Sequence, residues 1–365
     1  MNTISHVGKT LLAKAIRPFD SHRHAGGDVI PQGSKWNLPI PFVILNVSIL
    51  WVFVVGVSWV AVGVAVALYV IRMFGITAGY HRYFSHRTYK ANRAMQFAIA
   101  VVGNSATQRG PLWWAAHHRH HHAHSDTPQD AHSPVQEGGF WNSHILWWGR
   151  NRNLAPRLDL VKDLTKYPEL VFLDRFDMLV PILLMGFTYV LGAVLQHYFP
   201  GLHTSGWQMM AWGFVVSTVA LFHGVATINS LSHVFGKRRF KTTDDSRNNF
   251  WLALITMGEG WHNNHHHYPN SARQGFYWWE VDFSYYGLKG LAMLGLVRGL
   301  KPVPARILAD GRAGVVSVSA VGSQGGPLLR GSPSAAPAYS VSESASKGEP
   351  AWVSEGSVVS LENVA

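Results

Sequence analysis

The chain contains no cysteine, which excludes a disulfide, a thiolate-bound metal, a cysteine-held iron–sulfur cluster and a thiolate haem. Any redox metal must therefore use other ligands. Charge is also scarce: Asp, Glu, Lys and Arg make up 14% of 365 residues against 47% apolar, too little for an ordinary soluble surface. The scarcity is concentrated. Neither Trp36 to Ile71 nor Met178 to Gly236 holds one of these four residue types. As single helices the two stretches would run about 54 and about 88 Å, against a hydrocarbon core of about 30 Å.

Each stretch therefore reads as a pair of membrane spans. Gly56-Val57-Ser58 and Phe199-Pro200-Gly201 supply the turns, placing spans near 38–56, 58–79, 178–198 and 208–232, with Arg72 snorkelling toward the interface. Residues 1–35 form a basic leader with Lys9, Lys14, Arg17, Arg23 and Lys35, and they lack the apolar core and cleavage site of a signal peptide. No Lys or Arg lies between the paired spans, so the positive-inside rule places both termini and the central segment in the cytoplasm. A bacterial plasma membrane is the expected location. The membrane domain extends over 36–305, ending in a Trp/Tyr/His-rich region that includes Phe276-Tyr277-Trp278-Trp279 and suits the interface. Residues 306–365 are rich in Gly, Ser, Ala and Val without apolar periodicity and read as a disordered tail. The net charge of +11 is scattered, pointing to an anionic leaflet and acidic substrates and away from nucleic acid.

The chain has 21 histidines. They crowd into His81-Arg-Tyr-Phe-Ser-His86, His118-Arg-His-His121-His122 and His262-Asn-Asn-His265-His266. At about 100° per residue, His118, His121 and His122 fall within one helical arc of about 100°, so the three imidazoles are expected to face one point, and the same holds for His262, His265 and His266. His117, His120 and His267 point elsewhere. The spacing of five between His81 and His86 does not stack on a regular helix and requires a bend at the membrane boundary. Asn229 and His233 form a further i,i+4 pair at the end of the fourth span. An even number of spans separates the second cluster from the third, so all clusters emerge on one face. His223, inside the fourth span, has no partner in the sequence pattern and reads as structural, like His197 and His203. Nine to ten ligands of this kind exceed the capacity of one ion, so two metals are expected. Imidazole suits zinc, copper, iron and nickel, and of these zinc is poor at redox work whereas two irons could activate oxygen.

In these motifs the chain resembles the membrane fatty-acyl desaturases of the Δ9 acyl-CoA (stearoyl-CoA) type. Gly75-Ile-Thr-Ala-Gly-Tyr-His-Arg-Tyr-Phe-Ser-His-Arg-Thr-Tyr-Lys90 is similar to the family's first box, His118 to His122 to its second, and Gly258-Glu-Gly-Trp-His-Asn-Asn-His-His266 to its third. The resemblance implies an all-α integral membrane fold, with four transmembrane helices under a cytosolic helical cap that holds a di-iron centre. It implies ligation by His81, His86, His118, His121, His122, His233, His262, His265 and His266, with Asn229 acting through a water. It further implies a bent acyl tunnel lined by Gln108 and Trp114. Val225-Ala226 stands where animal members carry Thr-Trp. Arg150, Arg152, Arg157, Lys162 and Lys166 are candidates for coenzyme A phosphates by charge alone.

The function this implies is oxygen-dependent Δ9 desaturation of a long-chain saturated acyl substrate, with acyl-CoA expected ahead of acyl-lipid, to a cis-monounsaturated product. Abstracting hydrogen from an unactivated methylene pair needs a metal–oxygen oxidant. The chain shows no nucleotide or haem motif, so electrons must come from a separate carrier, a cytochrome b5 or a ferredoxin with its reductase. Two alternatives stand beside this: a related membrane di-iron hydroxylase or alkane monooxygenase, and a histidine-rich membrane metal carrier. A carrier places its ligands near the bilayer midplane, whereas these clusters lie at one boundary.

Overall fold

A computed structural model describes residues 20–24, 40–135, 138–150 and 153–313. Among them the chain is helical apart from loops, isolated bridges of Asn248 to Lys237 and Trp261, and one antiparallel pair, Lys90–Ala91 against Val297–Arg298. Helix α1 (Ile40–Val47) continues through a tighter turn to Val55. Gly56 reverses the chain at φ 72°, a conformation that costs glycine nothing. Ser58 then caps the next helix by accepting from the Ala61 N–H at 3.4 Å. The helices that follow are α2 (Trp59–Ser85), α3 (Arg93–Asn104), α4 (Pro111–His124), α5 (Gly139–His144), α6 (Pro168–Arg175), α7 (Leu179–Tyr198) and α8 (Gly206–His233). After them come α9 (Phe250–Ile255), α10 (His262–His267), α11 (Phe283–Met293) and α12 (Ala305–Ala313).

Helices α2, α7 and α8 are long and apolar enough to cross a bilayer. The segment expected as the first span, 38–56, holds a shorter apolar helix, Phe42–Val55, which covers about 20 Å against a core of about 30 Å. Gly56 ends it, and the residues just before Ile40 lie outside the described ones. Phe53, Val54, Trp59, Leu183, Phe187 and Val190 are exposed, an apolar surface of the kind that lipid covers.

Arg72 does not snorkel. Its guanidinium turns into the bundle and is almost wholly buried. It donates to Thr218 Oγ1 at 2.7 Å, to the Ser105 carbonyl at 3.3 Å, to the Leu68 carbonyl at 3.1 Å and to Ser217 Oγ. A fan of oxygens from α8 and from the end of α3 satisfies the donor fork inside the protein, so the side chain has no need to reach for the headgroups.

The second half of α2, Gly75–Ser85, is π-helical. Here i→i+5 bonding widens the turn, a local form frequent at functional sites. Glycines let α3 press against it. A Cβ on Gly75 would lie 2.7 Å from the Gly103 nitrogen, and one on Gly79 would lie 2.6 Å from Ile99 Cγ2. Beyond residue 305, where the tail was expected to begin, α12 is ordered: Ile307 packs with Phe240, Phe276 and Tyr277, and Tyr277 Oη donates to the Leu308 carbonyl at 2.9 Å. The rest of the expected tail, and most of the basic leader, lie outside the described residues.

Candidate metal centre

Four elements bring the histidines together: α2, α4, α10 and the end of α8. The π-helical end of α2 carries His81 and His86, and the His86 N–H donates to the His81 carbonyl at 3.2 Å. Helix α4 carries the second box. It begins at Pro111, which suits the first helical position, and its first free N–H groups are capped from a distance: Asp174 Oδ1 accepts from Leu112 and Trp113, each at 2.8 Å. The third box is the six-residue helix α10. The two asparagines between its histidines hold it in place. Asn263 Oδ1 accepts from the Arg239 and Phe240 N–H groups at 2.8 Å, and Asn264 donates to the Gln274 carbonyl at 3.0 Å and to Glu280 Oε2 at 2.9 Å.

The imidazole nitrogens gather in two groups, each with its atoms within 4.8 Å of one another. One comprises His81, His86, His118, His122 and His265, and the other His121, His233, His262 and His266. The helical arc of each HxxHH box is thus divided: His118 and His122 join the first group and His121 the second, while His265 joins the first and His262 and His266 the second. His233 sits at the end of α8, in the second group. The expectation that each box aims all three rings at a single point is corrected, because an arc of about 100° is wide enough to serve two neighbouring points. His117, His120 and His267 stay outside both groups. His117 bonds the Trp113 carbonyl at 3.0 Å, His120 bonds the Gln129 carbonyl at 3.0 Å, and His267 stacks on Phe240 with ring centroids 4.1 Å apart.

Within the groups, Nε2 atoms face each other at short range: His81 and His265 at 2.9 Å, His86 and His118 at 2.8 Å, His122 and His265 at 2.9 Å, and His233 and His262 at 3.1 Å. Four carboxylates stand behind them. Asp130 Oδ2 accepts from His121 Nδ1 at 2.9 Å, Asp126 Oδ2 from His233 Nδ1 at 2.9 Å, Asp244 Oδ2 from His266 Nδ1 at 2.7 Å, and Glu259 Oε2 from His81 Nδ1. Such a bond fixes the proton on Nδ1 and turns the Nε2 lone pair inward, as outer partners of metal-bound histidines do. Buried His266 Nε2 and His262 Nδ1 have no hydrogen-bond partner. Lone pairs converging at these separations match neighbouring ligands around an ion bound at about 2.1 Å, so the donor set fits a pair of imidazole-bound metal ions.

The electrostatics agree with that fit. Burial first, then the crowd of neighbouring imidazoles, pushes His86, His118, His122, His262 and His265 well below the ordinary histidine value. Neutral imidazole is the form that binds metal. Burial would raise the carboxyls behind them. Their hydrogen bonds and charged neighbours outweigh it, bringing Asp126 to about 2 and holding Asp130, Asp244 and Glu259 below the ordinary carboxylate value. Sequence reasoning missed all four carboxylates. Asp126 and Asp130 stand four and eight positions after His122 in an acid-poor chain, a signal that could have flagged those two.

Two adjoining cavities reach this centre. One is lined by Gln108, Trp114, His144, Phe222 and Asn229 among others, the second by Met73, Ile76, Trp114, Ile228 and Asn229. Trp114, Val225 and Asn229 belong to both, and Trp114 stacks on His118 with centroids 5.0 Å apart. Gln108 Nε2 is buried without a hydrogen-bond partner. His223 does have partners: it meets His144 at 3.1 Å and Asn46 Oδ1 at 3.0 Å, so it ties α8 to α1 and α5.

A helical chain with helices suited to a bilayer and buried imidazole clusters beside an apolar cavity defines a histidine-rich, metal-binding membrane protein. Residues 57–290 match the family model described as Fatty acid desaturase. The chain is 38% identical over 253 residues to the sn-2 palmitoyl-lipid 9-desaturase of Nostoc sp. (strain 36), covering 68% of this chain and 84% of that protein. It is 38% identical over 247 residues to the Delta-9 acyl-lipid desaturase 1 of Arabidopsis thaliana, covering 67% and 76% respectively. It is 37% identical over 254 residues to the Acyl-CoA 5-desaturase AL21 of Anemone leveillei, covering 68% and 74%. The chain belongs to the fatty acid desaturase family and is an enzyme, an oxidoreductase of lipid metabolism. That membership sets aside the metal-carrier alternative.

Proposed function

We propose that this enzyme places a cis double bond at the Δ9 position of a saturated palmitoyl or stearoyl chain, using oxygen and two electrons from a separate carrier. The observation that carries the reading is the pair of inward-facing imidazole groups at the head of an apolar cavity. His81, His86, His118, His122 and His265 would hold one iron, and His121, His233, His262 and His266 the other, with Asn229 reaching the second through a water. When bound, the irons supply the oxidising chemistry that acid–base side chains lack. The protein's own part is placement. Trp114, which lines both cavities, and Gln108, which lines the first, would orient the chain, and Met73, Ile76 and Ile228 would exclude water from the second. Holding one methylene pair in register is what turns a general oxidant into a regioselective one.

The relatives' names bear on the acyl carrier. The names of the Nostoc and Arabidopsis proteins specify acyl-lipid and that of the Anemone protein acyl-CoA, which makes a glycerolipid-borne chain the favoured substrate over the acyl-CoA expected from the motifs. Helices α2, α7 and α8, with Phe42–Val55 as a shorter fourth crossing, would set the metal centre and both termini on the cytoplasmic side of a bacterial plasma membrane. Ferredoxin or cytochrome b5 would deliver the electrons there. The test is reconstitution in liposomes with ferredoxin and its reductase, offering distearoyl glycerolipid or stearoyl-CoA and identifying the products by gas chromatography and mass spectrometry. Oleoyl chains on the lipid are expected. A hydroxylated chain, or product from the CoA ester alone, would overturn the reaction or the carrier respectively.

A further inference from the structure

The two imidazole groups differ in what stands behind them. Three of the four rings in the smaller group donate to a carboxylate: His121 to Asp130, His233 to Asp126 and His266 to Asp244. Among the described residues, no Lys or Arg lies within ion-pair distance of Asp130 or Asp244. In the larger group, among the described residues, only His81 has such a partner, Glu259, and that carboxylate shares Arg82 with buried Asp282: Arg82 Nη2 donates to Glu259 Oε1 at 3.0 Å and its Nη1 to Asp282 Oδ1 at 2.9 Å. Arg119 donates to the carbonyls of Phe84 and Ser85 at 2.7 and 3.1 Å, immediately before His86, and it shares the carboxylate of Asp163 with Arg87. Around the larger group three carboxylates, Glu259, Asp282 and Asp163, meet three guanidiniums, Arg82, Arg119 and Arg87, whereas Asp130 and Asp244 leave the smaller group in the more negative surround, inside a protein where charge is weakly screened.

Resting on the reading that each group holds one iron, we propose that the two irons are inequivalent. The four-imidazole site binds its ion more tightly and keeps it ferric at lower potential, and the five-imidazole site takes the first electron. Anionic partners raise the basicity of the imidazoles in front of them and favour the more highly charged ion. In the first step one electron from the donor converts the ferric ion of the five-imidazole site to ferrous, and no proton or bond changes hands.

The experiment uses full-length protein in nanodiscs loaded with 57Fe. One electron equivalent of dithionite is added and the Mössbauer spectrum recorded, and the fully reduced protein is then challenged with ferrozine. Two release phases of one iron each are expected. The slow phase is absent in His262→Ala and the fast phase in His265→Ala. Asp244→Asn and Asp130→Asn should speed the slow phase about tenfold or more, the usual cost of losing an outer partner, and leave the fast phase unchanged. At one equivalent, the iron reduced should be the one His265→Ala removes. Two irons leaving in a single phase, or Asp244→Asn speeding only the fast one, would overturn the asymmetry while leaving the di-iron reading intact. Protein that binds fewer than two irons would defeat both.

Discussion

The backbone N–H of His86 bonds the carbonyl of His81, five residues back, at 3.2 Å. That link is the π-helical bond itself, and it lets a spacing of five put both rings at the same cluster. The outcome depends on α3 packing close against the widened turn. A Cβ on Gly103 would lie 2.3 Å from the Tyr80 ring, and Tyr80 precedes His81. Gly103→Ala should therefore displace the first box and lower iron content to well under two per chain. Gly63→Ala, where a Cβ meets nothing within 4 Å, should retain iron, as metal analysis of the two purified variants will show. Equal iron in both would refute the role of this packing.

His121 and His265 serve different clusters, whereas His120 and His267 serve neither. His121→Ala and His265→Ala should each abolish unsaturated product and leave about one iron. His120→Ala and His267→Ala should keep substantial activity. Equal loss from all four, measured by product analysis in a desaturase-deficient host, would contradict the division of the helical arcs.

Arg72 joins α2 to α8 through buried hydroxyls. Arg72→Met strands those groups and should cost on the order of 2 kcal/mol or more, seen as a lowered thermal midpoint in detergent. Arg72→Lys should recover part of it, since a single ammonium cannot span the same fan of acceptors. An unchanged midpoint in Arg72→Met would show that the fan contributes nothing to stability.

Trp114 touches both cavities and stacks on His118. Trp114→Leu should broaden the distribution of double-bond positions more than it lowers iron content. Mass spectrometry of derivatised products measures the first and metal analysis the second. A single unshifted product would remove Trp114 from the registering surface.

Acid stability should carry the signature of Asp163. Burial raises its carboxyl, but bonds from Arg119 and Arg87 bring it down to about 2. This lies below the unfolded value of about 3.9. The pairing therefore contributes in full above about pH 4 and is lost as pH falls through about 2. Thermal unfolding between pH 2 and 5 should show a fall on acidification that Asp163→Asn reduces. An identical fall in both proteins would place the acid sensitivity elsewhere.

Much of this could be read from residue order. The apolar runs located α7 and α8 nearly to the residue, and Gly56 and Phe199-Pro200-Gly201 marked the reversals, because span length and turn chemistry are local properties. The separation of His117, His120 and His267 from the other histidines follows from helical angle alone. Arg72 was misread because its oxygen partners come from α8 and Ser105, distant in sequence. Asp244 and Glu259 carried no signal for the same reason, since a carboxylate becomes a histidine's partner only once two remote segments meet.

From the sequence alone came the long apolar spans and the crowding of histidines into three short boxes, since these depend on composition and on periodicities within a few turns of helix. The tertiary structure decided the division of nine imidazoles into five and four, the inward turn of Arg72 and the carboxylates behind the rings. Those are contacts between segments a hundred or more residues apart in several cases, such as His81 with Glu259 and His233 with Asp126. Local pattern says which way a side chain faces on its own helix, but only packing says what it meets there.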